Sequence, residues 1–152
     1  MDKNIVIRTM NEDDYDGVRE LWMRISGFGI RSIDDSREGI KRFIRRNPGT
    51  SVVAVKAGEI VGTILCGHDG RTASFYHVCV KQELRRKGIG RAMAVAAMRR
   101  LQAENVNKVS LIAYKHNEVG NQFWHCEGWT LREDVNTYDF ILNDENITNF
   151  NA

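Results

Sequence analysis

The feature that most constrains this chain is a cationic, glycine-containing loop that follows an apolar run and opens a helix. Residues 78–93 read VCVKQELRRKGIGRAM. A helix N-terminus carries unpaired N–H groups and a partial positive charge, so a phosphate or pyrophosphate binds readily there. Glycine lacks a Cβ atom and lets the backbone approach such an anion closely. We therefore predict an anion site, with a basic helix start on a solvated surface as the alternative. The predicted anion site consists of Arg85, Arg86, Lys87, Gly88, Ile89, Gly90 and Arg91.

Other phosphate-binding loops fit this segment less well. A Walker loop needs Gly-Lys-Ser/Thr after four spacer residues, and the sequence contains none. A dinucleotide-binding fingerprint needs a third glycine where Met93 stands, and an acidic residue at the end of the next strand. The next apolar run, over 109–113, ends instead in Tyr114-Lys115-His116.

Length and composition favour a single domain over residues 1–152. A hydrophobic content of 42% supports a sizeable core, and a net charge of +2 does not favour a nucleic-acid partner. The cysteines Cys66, Cys79 and Cys126 form neither a metal-binding pattern nor a disulfide framework, so we expect no metal. The start of the chain is polar and no apolar stretch is long enough to span a bilayer, so we expect a cytoplasmic protein without a membrane partner.

The remaining pattern interleaves helices with strands and predicts an α/β fold, a mixed sheet with helices on both faces. The predicted strands cover 5–7, 52–56, 60–68, 72–80, 109–113, 129–134 and 137–142. The predicted helices cover 11–25, 34–46, 88–105 and 118–126, with a glycine-rich break at 26–30. One βαβ crossover runs from strand 72–80 to strand 109–113, and residues 143–152 are expected to form a loose tail.

Two motifs resemble those of a known family. The order Arg-x-x-Gly-x-Gly after a strand resembles the acyl-CoA pyrophosphate loop of the GNAT superfamily of N-acyltransferases. The segment NEVGNQFWHCEGW, over 117–129, is similar to the second hallmark of that family, an Asn that opens a helix followed by Gly-aromatic. The resemblance runs from Ile5 to about Leu142. It implies a largely antiparallel sheet in which two parallel strands splay apart and hold the pantetheine arm of acetyl-CoA between them.

The resemblance also implies a donor site for acetyl-CoA, as the acyl-donor substrate. The backbone groups of Val78, Cys79 and Val80 would hold the acyl-pantetheine arm, and a backbone N–H of Val80 or a neighbour would stabilise the oxyanion. Asn117 would contact the arm from the other side. Asn121 and Trp124, on the helix that Asn117 opens, are also expected to line the donor site.

Acyl transfer to an amine requires the amine to be neutral, but a primary amine is mostly protonated at pH 7. A general base with a pKa near 7 therefore helps the reaction. His77 is the best-placed candidate, because it lies three residues before Val80, where related sequences often carry Glu, Asp or His. A structural histidine within the sheet is the alternative. Many family members protonate the CoA thiolate with a tyrosine seven residues after the Asn, but that position is Trp124 here. Tyr114 or Tyr138 would replace it, or the thiolate would leave unprotonated.

The acceptor site is expected between the break at 26–36 and the turn at 134–137. Phe28 and Ile30 would form walls, and Asp34 and Asp35 would attract a cationic amine. The alternative is a mobile loop in which Asp34 caps the next helix.

The sequence therefore predicts an acetyl-CoA-dependent N-acetyltransferase that transfers an acetyl group directly to a primary amine in a ternary complex. No cysteine is placed convincingly for a covalent intermediate. The acceptor would be a small-molecule amine or a peptide amine, and the apolar final hairpin suits a homodimer. A non-catalytic acyl-CoA-binding or sensing module, and a nucleotide- or nucleic-acid-binding domain, are the alternatives.

Overall fold

Seven strands and four α-helices make up the computed structural model, which describes residues 1–152. The strands are β1 (Ile5–Thr9), β2 (Gly29–Arg31), β3 (Val52–Lys56), β4 (Glu59–His68), β5 (Ala73–Val80), β6 (Val109–Leu111) and β7 (Thr148–Phe150). The helices are α1 (Tyr15–Met23), α2 (Arg37–Arg46), α3 (Ile89–Ala103) and α4 (Glu118–Cys126). Short 3-10 turns, Glu12–Asp14 and Gln82–Leu84, precede α1 and α3.

The central sheet has five strands in the order β1-β3-β4-β5-β6. Its first four strands pair antiparallel, and β5 and β6 form the one parallel pair. A parallel pair needs a long crossover, which α3 provides between β5 and β6. The prediction of a mixed, largely antiparallel sheet with one βαβ crossover is confirmed. A second, two-stranded sheet pairs β2 with β7.

Helices cover both faces of the sheet, as predicted, and a buried cluster lies under each face. On one face, α3 buries side chains spaced four residues apart: Ile89, Met93, Ala97 and Leu101. This spacing places them on a single side of the helix. On the other face, α1 buries Val18, Leu21 and Trp22. None of the four helices has the length and apolarity required to cross a bilayer.

Two helix starts show how local side chains set element boundaries. Asn11 accepts a hydrogen bond from the Asp13 N–H at 3.0 Å and caps the first helical segment, as predicted. The second helix starts later than predicted, because Ser36 and not Asp34 is its cap. The Ser36 Oγ accepts from the Gly39 N–H at 3.1 Å, and Asp34 instead bonds to Asn146.

The final part of the chain differs from the prediction in two ways. Residues 130–142 form no strand and lie exposed, so the predicted hairpin over 129–134 and 137–142 is wrong. The expected loose tail is also wrong, because 148–150 form β7. The pattern of alternating apolar residues over 137–142 indicates an amphipathic strand, but it does not show which strand would pair with it.

The tail is tied to the segment that follows α1. The Asn151 N–H donates to the Phe28 carbonyl at 2.9 Å, and the Gly27 N–H donates to the Asn151 carbonyl at 3.0 Å. The Asn151 side-chain amide donates to the carbonyls of Trp22 and Ile25 at the end of α1. These bonds fix the course of residues 26–31, which carry part of the site described next.

Candidate functional site

The two parallel strands separate after three residue pairs. β5 and β6 pair from Ala73 with Val109 to Phe75 with Leu111, and β5 then continues alone on that side to Val80. Every second residue of a strand directs its N–H and C=O groups to the same side, so part of the backbone over 76–80 faces this gap. The predicted splayed pair is thereby confirmed, and the gap suits an extended ligand that carries amide groups.

A β-bulge in β5 lies at the start of the gap. Leu65 pairs with Tyr76 and Thr63 pairs with Cys79, so two residues of β5, one of them His77, oppose a single residue of β4. His77 has a φ of 48°, which is uncommon for any residue except glycine. Bulges change the direction of a side chain and are frequent next to active sites.

The bulge is held by hydrogen bonds from the buried face of the sheet. The Thr63 hydroxyl donates to the His77 carbonyl at 2.9 Å and accepts from the Trp22 indole N–H at 3.0 Å. Thr63 and Trp22 are fully buried, so water cannot replace either partner. This chain of bonds links α1 through β4 to the bulged residue.

We expect Thr63→Val to lower the free energy of unfolding by about 1–3 kcal/mol, because it leaves the buried Trp22 N–H without an acceptor. Urea unfolding followed by Trp fluorescence measures the change. Thr72→Val is the matched control, since Thr72 is exposed in the turn before β5. Equal stabilities of the two variants would mean that the Thr63 hydroxyl does not hold the bulge.

The His77 imidazole lies in a pocket formed by two aromatic rings and one carboxylate. Its Nε2 lies 2.8 Å from the Asp35 Oδ2, and its side chain is 12% exposed. The ring centroids of Trp22 and Phe28 lie 4.7 and 4.8 Å from the centroid of the imidazole. The structure therefore brings His77 together with Phe28 and Asp35 of the predicted acceptor segment.

Asp35 is itself held by three contacts. Its Oδ2 accepts from the Arg31 N–H at 2.7 Å, and its own N–H donates to the Arg31 carbonyl at 3.1 Å. Its carbonyl accepts from the Tyr15 hydroxyl at 2.7 Å. Burial raises the pKa of Tyr15, which keeps that hydroxyl protonated and able to donate. The carboxylate beside His77 is thus fixed by backbone and side-chain bonds.

The loop over 85–91 leads into the helix start that the sequence predicts. Residues 86–91 lead into the first turn of α3, and their N–H groups donate no hydrogen bond within the chain. Gly88 has a φ of 85° and Arg86 a φ of 63°. These left-handed conformations turn the chain sharply into the helix and leave consecutive N–H groups without an acceptor, the backbone arrangement found in anion-binding concavities.

The two glycines of the loop have different roles. Gly88 supplies the left-handed turn, and a Cβ atom there would meet no atom within 4 Å. A Cβ atom on Gly90 would lie 3.2 Å from the Phe123 ring on α4. Gly90 therefore allows α3 and α4 to pack closely, a role that the sequence did not indicate.

The cations of the loop are exposed, and they differ in their partners. The Arg85 Nε donates to the Val80 carbonyl at 3.0 Å, so this side chain bridges the loop and the gap. The Arg91 Nε lies 3.7 Å from a Glu127 carboxylate oxygen. Arg86 and Lys87 make no ion pair within the chain, so their charges are available to an anion.

The other predicted donor-site residues lie on α4. The Asn117 Oδ1 accepts from the Gly120 N–H at 3.0 Å and caps the helix. The Asn121 side-chain amide donates to the carbonyls of Tyr114 and Asn117, which ties α4 to the loop after β6. These bonds leave the Asn117 amide nitrogen free to donate to a ligand.

Trp124 packs inside an aromatic cluster beside the sheet. The centroid of its ring lies 4.7 Å from that of Trp129, 4.8 Å from that of Phe123 and 6.3 Å from that of Phe75. The tryptophan that stands at the position of the family's usual tyrosine thus contributes to packing between α4 and β5.

The remaining candidates do not join His77. Neither Tyr114 nor Tyr138 is among its aromatic neighbours; Tyr114 packs edge-on against Phe150, and Tyr138 is 89% exposed. The turn at 134–137 lies in the exposed segment and makes no hydrogen bond to residues 26–36, so its place in the acceptor site stays a prediction. Burial raises the pKa of the Cys79 thiol to about 12, so this thiol stays protonated near neutrality and is not a nucleophile.

Comparison with known proteins places these features in context. The chain matches the Acetyltransferase (GNAT) family over residues 15–128. It is 33% identical over 123 residues to Acetyltransferase plu1384 of Photorhabdus laumondii subsp. laumondii, covering 80% of this chain and 82% of that protein.

Two solved structures show the same fold at low sequence identity. One is the PaiA N-acetyltransferase from Thermoplasma acidophilum in complex with coenzyme A, with a TM-score of 0.74 and 17% identity, covering 86% of this chain and 92% of that chain. The other is the aminoglycoside acetyltransferase meta-AAC0020 from an uncultured soil metagenomic sample in complex with sisomicin. Its TM-score is 0.70 at 19% identity, covering 92% of this chain and 97% of that chain.

Proposed function

Because the chain belongs to the GNAT family of acetyl-CoA-dependent acetyltransferases, we propose that it transfers an acetyl group to a primary amine by direct attack within a ternary complex. The observation that carries the proposal is the position of His77. A half-buried imidazole beside a fixed carboxylate lies at the start of the gap between the parallel strands. A base at that point can take a proton from an amine that approaches a thioester in the gap.

The donor half of the proposed site fits the shape and charge of acetyl-CoA. The pyrophosphate accepts from the unbonded N–H groups of the loop, and the cations neutralise its charge. The pantetheine amides pair with the open backbone of β5, because a strand edge offers N–H and C=O groups in register. Ile89 and Cys79 are buried and contribute backbone only. The proposed donor-site residues are Val78, Cys79, Val80, Arg85, Arg86, Lys87, Gly88, Ile89, Gly90, Arg91, Asn117, Asn121 and Trp124.

The proposed reaction has one bond-forming and one bond-breaking event at the thioester carbon. The amine nitrogen attacks this carbon to form the C–N bond, the C–S bond then breaks, and its electron pair leaves with the sulfur. The amine proton passes to His77. Because Asp35 lies beside Nε2, a proton on Nε2 is stabilised and Nδ1 carries the lone pair that accepts the new proton. A backbone N–H of Val80 or a neighbour stabilises the oxyanion.

The leaving group does not require an acid in this proposal. An indole N–H is no usable acid, and Trp124 is held in its aromatic cluster. A thiol with a pKa near 8.5 leaves adequately as a thiolate. The thiolate then takes a proton from water, and His77 returns the amine proton to water. The loop cations favour an anionic product bound at the donor site.

The acceptor half of the proposed site is formed by the segment between α1 and α2. Phe28 gives it an apolar wall, and its course is fixed by Asn151. Asp34 accepts a hydrogen bond from the Asn146 side-chain amide, and we assign it no contact with the acceptor amine. We propose a small-molecule amine or a peptide amine as the acceptor. The sisomicin complex of meta-AAC0020 supports an amine acceptor by analogy.

To test the proposal, the release of the free CoA thiol from acetyl-CoA is measured in the presence of a panel of acceptors. The panel contains a polyamine, an aminoglycoside, a lysine-containing peptide and the matching alcohols. We expect one or more amines, and none of the alcohols, to accelerate thiol release and to gain one acetyl group by mass spectrometry. When the concentrations of acetyl-CoA and amine are both varied, double-reciprocal plots of the initial rates should give intersecting lines, as a ternary complex requires. Parallel lines, or an acetylated enzyme in the absence of amine, would contradict direct attack.

A further inference from the structure

Three exposed aromatic rings lie together just after the end of β6, on the far side of the gap from His77. The ring centroid of Tyr114 lies 5.5 Å from that of His116, and the two rings are stacked at an interplanar angle of 18°. The Phe150 ring meets Tyr114 edge-on, with centroids 5.9 Å apart. We name these three residues the aromatic strip. Exposed rings that contact one another form an apolar surface on which a further ring can pack.

The aromatic strip is held from two directions. The Tyr114 carbonyl accepts from the Asn121 side-chain amide of α4 at 2.9 Å. Phe150 belongs to β7 and pairs with Gly29 of β2, where an added Cβ atom would lie 3.0 Å from its ring. Gly29 therefore leaves room for the Phe150 ring. The strip thus connects α4, which carries part of the proposed donor site, with the acceptor segment over 26–36.

The acceptor segment has three charged side chains, and only that of Arg31 has no partner in the chain. Asp35 contacts His77, and Asp34 accepts from the Asn146 amide. The Arg31 N–H donates to the Asp35 Oδ2 at 2.7 Å, and this oxygen lies 2.8 Å from the His77 Nε2. The backbone of Arg31 is thereby fixed next to the proposed base, while its exposed guanidinium is free. A free guanidinium is a preferred partner for a carboxylate.

The guanidinium and the Phe150 ring lie on the same face of the small sheet. Side chains two residues apart on a strand point to one face, so Arg31 points to the side on which a Gly29 Cβ atom would meet the Phe150 ring. Phe28 and Ile30 pack instead against the buried cluster under the central sheet. One cation and one surface of aromatic rings are therefore presented together, which suits a ligand with a carboxylate and a ring.

We propose that the acceptor is an amine that carries an aromatic ring and a carboxylate, the chemistry of an aromatic α-amino acid. Its ring packs on the aromatic strip, its carboxylate binds the Arg31 guanidinium, and its amine faces His77. The inference rests on the proposed function, because it names the acceptor of that same reaction. A polyamine would bring a second cation beside Arg31, where like charges repel each other. A simple alkylamine would leave both Arg31 and the strip without a partner.

Initial rates of thiol release with four matched acceptors test this inference. Phenylalanine carries the ring and the carboxylate, phenethylamine the ring alone, norleucine the carboxylate alone, and pentylamine neither. Rates are expressed per concentration of free amine, which corrects for the different pKa values of the four amines. We expect kcat/KM to be highest for phenylalanine and about tenfold lower when either group is missing. A kcat/KM for phenylalanine no higher than that for pentylamine would overturn the inference.

Variants of Tyr114 assign the preference for a ring. Tyr114→Ala should lower kcat/KM about tenfold for phenylalanine and phenethylamine, and leave the two acceptors without a ring nearly unchanged. Tyr114→Phe keeps the ring and removes the hydroxyl, so it should retain the wild-type preference. Equal losses for all four acceptors in Tyr114→Ala would mean that this ring only supports the fold, and would overturn the inference.

Variants of Arg31 assign the preference for a carboxylate. Arg31→Gln should lower kcat/KM about tenfold for phenylalanine and norleucine, with little change for the two amines that lack a carboxylate. Arg71→Gln is the matched control, because it removes an exposed charge from the turn before β5. It should leave all four rates as in the wild type. A rise in the KM for acetyl-CoA in Arg31→Gln, with the acceptor preference retained, would assign this cation to the donor and overturn the inference.

Calorimetry separates the failure of this inference from the failure of the proposed function. The protein is saturated with CoA, which carries no acetyl group, and titrated with phenylalanine or pentylamine. We expect saturable binding of phenylalanine that Arg31→Gln weakens about tenfold. Binding of phenylalanine without acetyl transfer would contradict the proposed function and support the ligand class. Transfer to other amines, with neither binding nor acetylation of phenylalanine, would overturn the inference alone.

Discussion

Gly88→Glu is expected to abolish acetyl-CoA binding while the protein remains folded. The substitution places a carboxylate beside the N–H groups that would hold the pyrophosphate, where two like charges repel each other. It also forces a side chain into a left-handed conformation at a φ of 85°, which costs about 1–2 kcal/mol. A negative charge at a helix N-terminus stabilises the helix itself, so the fold should persist. We expect the dissociation constant measured by calorimetry to rise at least 100-fold.

Gly70→Glu is the matched control for this prediction. Gly70 has a φ of 89°, lies exposed in the turn between β4 and β5, and has no atom within 4 Å of an added Cβ. The control therefore adds the same charge and the same backbone strain away from the loop. Circular dichroism shows whether both variants are folded. If Gly88→Glu bound acetyl-CoA as tightly as the wild type, or if Gly70→Glu lost as much affinity for acetyl-CoA as Gly88→Glu, the loop would not be the pyrophosphate site.

His77→Gln is expected to lower kcat about 10²- to 10⁴-fold at pH 7, the usual contribution of a general base. Glutamine fills most of the same space but cannot accept the amine proton. Part of the rate should return as the pH rises, because the free fraction of an amine with a pKa near 10.4 grows about tenfold per pH unit below that value. The KM for acetyl-CoA should change little, since the proposed donor contacts do not involve this imidazole. Rates measured from pH 6 to pH 10 check the prediction.

Two companion variants separate a catalytic from a structural role of His77. His68→Gln removes a histidine from the end of β4, where it pairs with Glu104, and should leave the pH profile unchanged. Asp35→Asn removes the carboxylate beside Nε2 and should give a smaller loss of kcat than His77→Gln. If the rate of His77→Gln stayed within twofold of the wild-type rate from pH 6 to pH 10, His77 would be a structural residue of the bulge.

The parts of the fold that the sequence predicted correctly are those with local signals. The Asp69-Gly70 turn joins two apolar runs of β propensity, and the structure contains the hairpin of β4 and β5 there. Gly88, which takes the left-handed conformation, marks the start of α3. Asn117 marks the start of α4, because its side chain caps the helix. In each case neighbouring residues alone determine the backbone conformation.

The errors concern features that depend on distant partners. The pairing of β2 with β7 joins residues more than 100 positions apart, and neither segment is strongly apolar. The bulge at His77 depends on the Thr63 hydroxyl across the sheet, and no sequence motif marks that residue. Asp35 was expected to attract an acceptor amine, whereas the structure places it beside His77. Its position in the loop before α2 gave no indication of that contact.

The bonds of Asn151 affect the order in which the two halves of the site mature. They join Asn151 to Trp22 and Ile25 across 129 and 126 residues of chain. Since ribosomes add about 5–20 residues per second, the acceptor segment is synthesised on the order of ten seconds before its anchor. The donor loop needs no residue beyond Glu127 for its contacts with α4. The anchor of the acceptor segment is therefore the last part of the site to be synthesised, 24 residues after Glu127.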